Sequence, residues 1–312
     1  MITILGAGGF LGYSLAYELN SLHYNYTTVS RSFQWQPFTS ENRFLCPVSY
    51  VESYSQNFTN DSTVIYMAGS TDLALAESDD VSDLEKHENE MRMFFAGLSD
   101  SVHLPSKFIF FSSAGTVYGD AQGCPATETS PLQPKSAYGR RNVALENLFS
   151  SLVHSLGQQA HVFRISNPFG PRQFLFRRKG LIQSLISSSF NNSVLTLRAD
   201  GLQSRDYISA QQLSVAVIQA CSLDNLPQYL NFSSGFSFTA IEIVDILINL
   251  GLSPQVTYSS EIFPFEVQDS LVSPQLLCSQ LKLKQDHFFP FAAKSAYLQD
   301  IVDQTRKYYL GG

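Results

Sequence analysis

The stretch "ITILGAGGFLGYSLAYELNSL", residues 2–22, decides the fold. It opens on a short apolar run, "ITIL", which reads as a strand. A glycine-rich turn follows directly. The turn then leads into a segment with Leu11, Leu15, Leu19 and Leu22 at helical spacing. Within the turn Gly6, Gly9 and Gly12 recur every third residue, and Phe10 and Leu11 begin the helix. Such a loop lets backbone approach a pyrophosphate, whose charge is met by free amides and the positive end of a helix. The same triplet can also form a tight turn with no ligand. Its place between a strand and an amphipathic helix selects the dinucleotide reading.

Outward from this unit the pattern repeats. "YTTVS", "STVIYMAG", "KFIFFSSAG" and "AHVFRIS" read as strands. "DLEKHENEMRMFFAGL" reads as a helix, and "AYGRRNVALENLFSSLVHSL" as a longer one with Leu145, Leu148, Leu152 and Leu156 on one stripe. Strands alternating with helices of this length predict an α/β protein with a Rossmann-type, doubly wound parallel sheet. After Pro168 the alternation gives way to loops, shorter helices and isolated strands. The expected organisation is a dinucleotide-binding domain over 1–166, rejoined at about 207–233, and a smaller α/β substrate region over 167–312.

The end of the second strand distinguishes two cofactors. An acid there grips the adenosine ribose hydroxyls, whereas an arginine accommodates a 2′-phosphate. This chain has "TVSRS", with Ser30, Arg31 and Ser32 and no carboxylate. NADP is therefore expected in preference to NAD, the alternative for Arg31 being a solvated surface charge. Ala68 and Gly69, which end "STVIYMAG", join the expected cofactor contacts.

Bulk properties narrow the partners. The 312 residues are 44% hydrophobic and 15% charged, with a net charge of −7, which argues against nonspecific nucleic-acid binding. Cys46, Cys124, Cys221 and Cys278 are scattered without paired zinc spacing, so reduced thiols and no metal are expected. The most apolar later stretch, "TAIEIVDILINLGL", contains Glu242 and Asp245 and reads as a packed helix rather than a membrane span. No basic region precedes "MITILGAGG", so no signal peptide is expected and the predicted location is cytoplasmic.

Beyond the glycine loop, "FFSSAGTVYGD", "SAYGRRNVALE", "RISNPFGPRQ" and "LQSRDYIS" follow in order, with "LVSPQLLCSQLKLK" near the end. In this order they resemble the extended short-chain dehydrogenases/reductases of the sugar-nucleotide epimerase/dehydratase branch. The resemblance implies a nucleotide-sugar substrate held over a nicotinamide. It also implies a homodimer formed through the long helix bearing Tyr138 and a neighbouring helix.

Residue by residue, Tyr138 matches the family's catalytic tyrosine. A phenol with an ordinary pKa of about 10 is a poor base at neutral pH. The family answers with a lysine one helical turn on, which favours the phenolate and holds the cofactor ribose. Asn142 stands in that place and brings no charge. Arg140 points well away from the Tyr138 face, whereas Arg141 lies about 60° off it. Arg141 is thus either a surrogate cation or a solvent-facing side chain. Ala114 replaces the usual serine or threonine, and either Ser113 or Thr116, with Thr116 favoured, is expected to supply the hydroxyl. The Asp-Glu pair of the dehydratases falls on Gly115 and Thr116, so a 4,6-dehydratase lacks its acid here.

Asn89 matches a helix asparagine that steadies the active site; the alternative is an ordinary polar helix residue. Asn167 and Arg205 match positions that contact the substrate diphosphate. Phe263 stands where an arginine is common, and Arg172 and Arg177 are candidates to compensate or plain surface charges. The expected activity is NADPH-dependent reduction at C4 of a 4-keto nucleotide sugar. The alternatives are a 4-epimerase with retained NAD and a catalytically silent dinucleotide-binding protein.

Overall fold

The computed structural model describes residues 1–32, 43–69, 81–99, 101, 103–176, 180–288 and 296–311. Its first six strands are β1 (Ile2–Leu5), β2 (Tyr26–Ser30), β3 (Arg43–Leu45), β4 (Thr63–Tyr66), β5 (Lys107–Ser113) and β6 (Gln159–Ile165). With an edge strand, Tyr229–Phe232, they form one sheet in the order edge, β6, β5, β4, β1, β2, β3. Every pairing from β6 through to β3 is parallel. The direction of winding reverses at β1, which lies between β2 and β4. In open sheets of this kind ligands gather at the carboxyl ends of the strands beside that reversal.

The chain divides into two compact units. The first comprises 1–113, 136–165 and 214–230; the second comprises 114–135, 166–213 and 231–312. Residues 114–135, expected with the dinucleotide domain, belong to the second unit.

The helices of the first unit include α1 (Phe10–Ser21), α2 (Val81–Leu98) and α3 (Ala137–Ser155). Helices α2 and α3 pack against each other, and α3 packs on β5 and β6. The stripe read from leucine spacing on α3 proves shallower than its neighbour. Leu145, Phe149 and Val153 are buried in the core, while Leu148, Leu152 and Leu156 are only partly covered. Leu22, expected on the buried stripe of α1, is exposed just past the helix end. The core is aromatic. The Phe149 ring lies 5.4 Å from Phe110 and 5.6 Å from Phe95, and Tyr66 lies 5.6 Å from Phe94. Each such pair adds about 0.5–1.5 kcal/mol beyond its burial.

In the second unit, Asn167–Phe169 pairs in parallel with Ser204–Ser209, which pairs antiparallel with Ser237–Thr239. A separate parallel pair joins Leu195–Leu197 to Val256–Tyr258. Helices α4 (Gly180–Asn191), α5 (Ala240–Asn249) and α6 (Ala296–Leu310) enclose a core that includes Ile182, Ile186, Ile243, Leu247, Ile301 and Val302. Helix α5 starts on a reciprocal cap, in which Thr239 accepts from the Glu242 amide and Glu242 accepts from the Thr239 amide. Among the described residues no helix is long and apolar enough to cross a membrane.

Candidate functional site

The glycine turn is built by close approach. Gly6 sits at φ +92°, and a Cβ there would lie 2.8 Å from the Ala68 backbone. Gly8, which triplet spacing passes over, is the tightest of the turn. A Cβ at Gly8 would lie 2.2 Å from the Ser32 carbonyl and 2.4 Å from Ser30 Oγ. The glycine doublet in "GAGG" is its signal in the sequence. Gly9 differs, because the nearest atom to a Cβ there is the Gly6 carbonyl at 3.8 Å. Gly9 is also the N-cap of α1. No side chain caps that end and no acid lies in the first turn, so the amides around Phe10, Leu11 and Gly12 face no competing carboxylate. This is the arrangement that receives a phosphate. At the end of β2, Ser30 Oγ donates to the Ser32 carbonyl, and Arg31 is exposed.

A second cluster forms where α2 meets α3. Ser136 caps α3 by accepting from the Gly139 amide at 3.0 Å. Tyr138, in the first turn, is half-buried, and Arg140 is exposed. Arg141 is not solvent-facing. It is only 7% exposed, donates from Nη1 to Asp83 Oδ2 at 2.8 Å, and places its guanidinium carbon 4.9 Å from the Tyr138 ring centroid. Asn142 is 4% exposed.

On helix α2 the side chain of Asn89, expected to steady the site through backbone and water, is exposed. The inward face runs through His87, Met91, Phe94, Phe95 and Leu98. Asn89 lies two residues, or about 200°, from His87 and so points outward. The apolar phase of "MRMFFAGL" is the signal that could have selected His87. Its Nε2 lies 3.4 Å from Asp83 Oδ1. On its other side, a Cβ on Gly69 (φ +119°) would meet His87 Nδ1 at 3.1 Å, so the end of β4 rests against this ring. Burial first, then the Arg141 charge, pull His87 down to about 4 against the pull of Asp83. The imidazole is therefore neutral near pH 7.

Three nitrogens of this cluster are buried without a hydrogen-bond partner among the described residues: His87 Nε2, Arg141 Nε and Asn142 Nδ2. Buried donors left unpaired are costly, and their concentration marks a place made for an acceptor. A dinucleotide, with its ribose hydroxyls and amide oxygen, fits this donor set and the open approach at Gly9.

In the second unit Ala114, Gly115 and Thr116 lie in a single helical turn, Ala114–Val117, which continues directly from Ser113 at the end of β5. A Cβ on Gly115 would lie 3.2 Å from Asn167 Nδ2, so a carboxylate side chain at 115 would press on that amide. Asn167 is fixed by donating to the Asp206 main-chain carbonyl at 2.8 Å. The Asp206 side chain is fully buried and accepts from the Ser234 amide, Ser234 Oγ and the Gly235 amide at 2.9–3.0 Å. Burial pushes its carboxyl up to about 6 although these donors pull it down.

Arg205 donates to the Ser204 carbonyl at 2.8 Å and to Gln203 Oε1 at 3.2 Å; burial lowers its pKa below the ordinary arginine value. Phe263 stacks on Phe265 at 5.1 Å, and its ring carries the Arg198 guanidinium at 4.7 Å. Arg198, paired with Glu266, is thus a cation at the place where the sequence offers an aromatic. Arg172 adopts φ +63°, and Arg177 lies outside the described residues. Among the described residues no group of three or more metal-ligating side chains is assembled.

Residues 2–232 match the model of the family described as the NAD dependent epimerase/dehydratase family. The dTDP-4-dehydro-6-deoxyglucose reductase of Escherichia coli is 26% identical over 269 residues, covering 79% of this chain and 80% of that protein. A putative UDP-glucose 4-epimerase of Methanocaldococcus jannaschii is 28% identical over 141 residues, or 45% of this chain and 46% of that protein. Among solved structures, the NAD complex of UDP-glucose 4-epimerase from Thermus thermophilus superposes with a TM-score of 0.80 at 21% identity, covering 98% of both chains. At that identity the likeness is one of fold.

Proposed function

The chain belongs to the NAD dependent epimerase/dehydratase family, and on that premise we propose that it reduces a 4-keto nucleotide sugar with NADPH. The observation that favours reduction over epimerisation is the end of β2, where exposed Arg31 stands and no carboxylate does. An arginine there suits a 2′-phosphate, and a cofactor of that kind exchanges after each turnover. Likeness to a reductase over four-fifths of both chains points the same way.

In this reading Gly6, Gly9, Phe10, Leu11 and Gly12 hold the pyrophosphate, Ser30 and Arg31 the adenosine end, and Ala68 and Gly69 the pocket floor. The buried Asn142 amide donates to the ribose in the place of a lysine, and His87 takes the supporting part expected of Asn89. The bound dinucleotide supplies the hydride. Tyr138 gives its phenolic proton to the C4 oxygen as the carbonyl becomes an alcohol, and Ser113 or Thr116 holds that oxygen in line. Asn167 and Arg205 bind the diphosphate, with Arg198 supplying the charge that Phe263 does not.

The test is a panel of 4-keto nucleotide sugars with NADPH and with NADH. Stoichiometric oxidation of NADPH, lost in Tyr138→Phe, is the expected result. Conversion of a 4-hydroxy sugar nucleotide to its C4 epimer without added cofactor would replace this reading with the epimerase. Cofactor binding with no turnover across the panel would leave a silent dinucleotide-binding protein.

A further inference from the structure

We propose that Arg141, held by Asp83 across the face of the Tyr138 ring, supplies the positive charge that helix α3 lacks at Asn142. This inference rests on the reading of Tyr138 as the proton donor. Arg141 then acts as a positioning residue working through the ring, in partnership with Asp83 on α2.

The burial of Arg141 is the first support. An arginine with only 7% of its surface exposed is tolerated when its charge is answered, and Asp83 answers it with a 2.8 Å bond. A pair made only to neutralise Asp83 would be expected to use its remaining donors. Instead Arg141 Nε is buried and unpaired, and the guanidinium lies over the phenol ring. The face of an aromatic ring is its negative side, and ionising the hydroxyl makes the ring more negative still. A cation on that face therefore favours the phenolate over the phenol.

The choice of arginine matters as well. A guanidinium stays charged across the whole working range, whereas a buried lysine readily loses its proton. Among the described residues, Asp83, Lys86 and Arg31 act on His87 beside Arg141. His87 is neutral near pH 7 and adds no charge of its own there. Asp83 fixes where the cation sits, because its single strong bond to Nη1 leaves the plane of the guanidinium free to rest on the ring.

The experiment separates the titration of Tyr138 from that of the other tyrosines by subtracting the ultraviolet tyrosinate curve of Tyr138→Phe from that of the parent protein, without cofactor. In Arg141→Met the Tyr138 component is expected to move to higher pH. The limb of the kcat profile on which Tyr138 loses its proton should move the same way, with KM for the sugar changed less than about twofold. Arg141→Lys should restore part of the shift. Arg141→Gln, which keeps a donor toward Asp83 without the charge, should move the curve as Arg141→Met does, and it serves if Arg141→Met fails to fold. An unmoved Tyr138 curve and an unmoved kcat limb in Arg141→Met, with only a lower melting temperature, would overturn the proposal. Turnover surviving in Tyr138→Phe would instead overturn the reading of Tyr138, whatever the absorbance curves show.

Discussion

Helix α3 supplies one member to each of two arginine–carboxylate pairs, and in each the guanidinium lies over a tyrosine ring. Near its start Arg141 pairs with Asp83 and covers Tyr138 at 4.9 Å. Further along, Glu146 pairs with Arg164 of β6, which covers Tyr229 at 4.6 Å. The difference lies in closure. Glu146 and Arg164 are 2% and 4% exposed, joined through both carboxylate oxygens at 2.7–3.2 Å, with Ser112 Oγ donating to the same carboxylate. The Asp83 pair has one strong bond, and buried donors around it remain unpaired. A closed network of this kind specifies structure, whereas an open one waits for an acceptor that arrives with a ligand.

The largest expected effect breaks the closed pair. Glu146→Leu leaves Arg164 charged and buried without its carboxylate, and should destabilise the protein by about 3–5 kcal/mol in chemical denaturation. Adding Arg164→Met should recover most of that loss, because removing both charges also removes the need to pair them. Asp83→Asn at the open pair should cost about 1–3 kcal/mol. Equal losses at the two carboxylates would erase the distinction between them.

Next comes the open end itself. Asn142→Lys places a second cation one turn from Tyr138, and a charge at that range shifts a neighbouring group by about one to three pH units. We expect a rise in kcat of about tenfold or more at neutral pH, with the limb on which Tyr138 loses its proton moved to lower pH. An unchanged kcat would mean that Arg141 already meets the requirement. That outcome would sharpen the contrast with Arg164, whose guanidinium over Tyr229 is closed by Glu146.

Much of this was legible in the chain. The first strand, the glycine turn and the helix after it follow from apolar spacing and an unbroken local order, and β2 spans the residues that "YTTVS" suggested. Other features had no local signal. Asp83 is 58 residues from Arg141 and Glu146 is 18 from Arg164, so only the folded sheet and helices reveal either pair. On α3 itself, the angle of Arg141 left burial and exposure equally open, and its partner on α2 decided the matter. The three-residue strands of the second unit are too short to show an alternation at all. Asn89 and His87 show the opposite case, since the apolar phase of α2 was present in the sequence and points to His87.

Smaller effects belong to the ligand alone. Arg31 is exposed, so Arg31→Ala should leave the melting temperature unchanged while weakening NADPH binding about tenfold and NADH binding hardly at all. Titration calorimetry with both nucleotides measures this. A parallel loss for the two would show that Arg31 does not touch a 2′-phosphate.

The smallest effect is a pH dependence, and its sign follows from burial. The folded state holds His87 at about 4 rather than the ordinary 6.5, so between these values the unfolded chain binds a proton that the folded one does not. Stability rises with pH wherever the unfolded state binds more protons. The protein should therefore lose stability as pH falls from about 6.5 through 4, and above that window this contribution is fully present. Replacing the ring by His87→Gln removes the linkage, so the gap in stability between parent and variant should shrink by on the order of 1 kcal/mol between about pH 7 and pH 5. Denaturation at the two pH values gives this difference directly. A gap that stays constant would mean that the ring takes up its proton inside the fold. His87 would then add a second positive charge beside Arg141, and the open pair would no longer rest on a single cation.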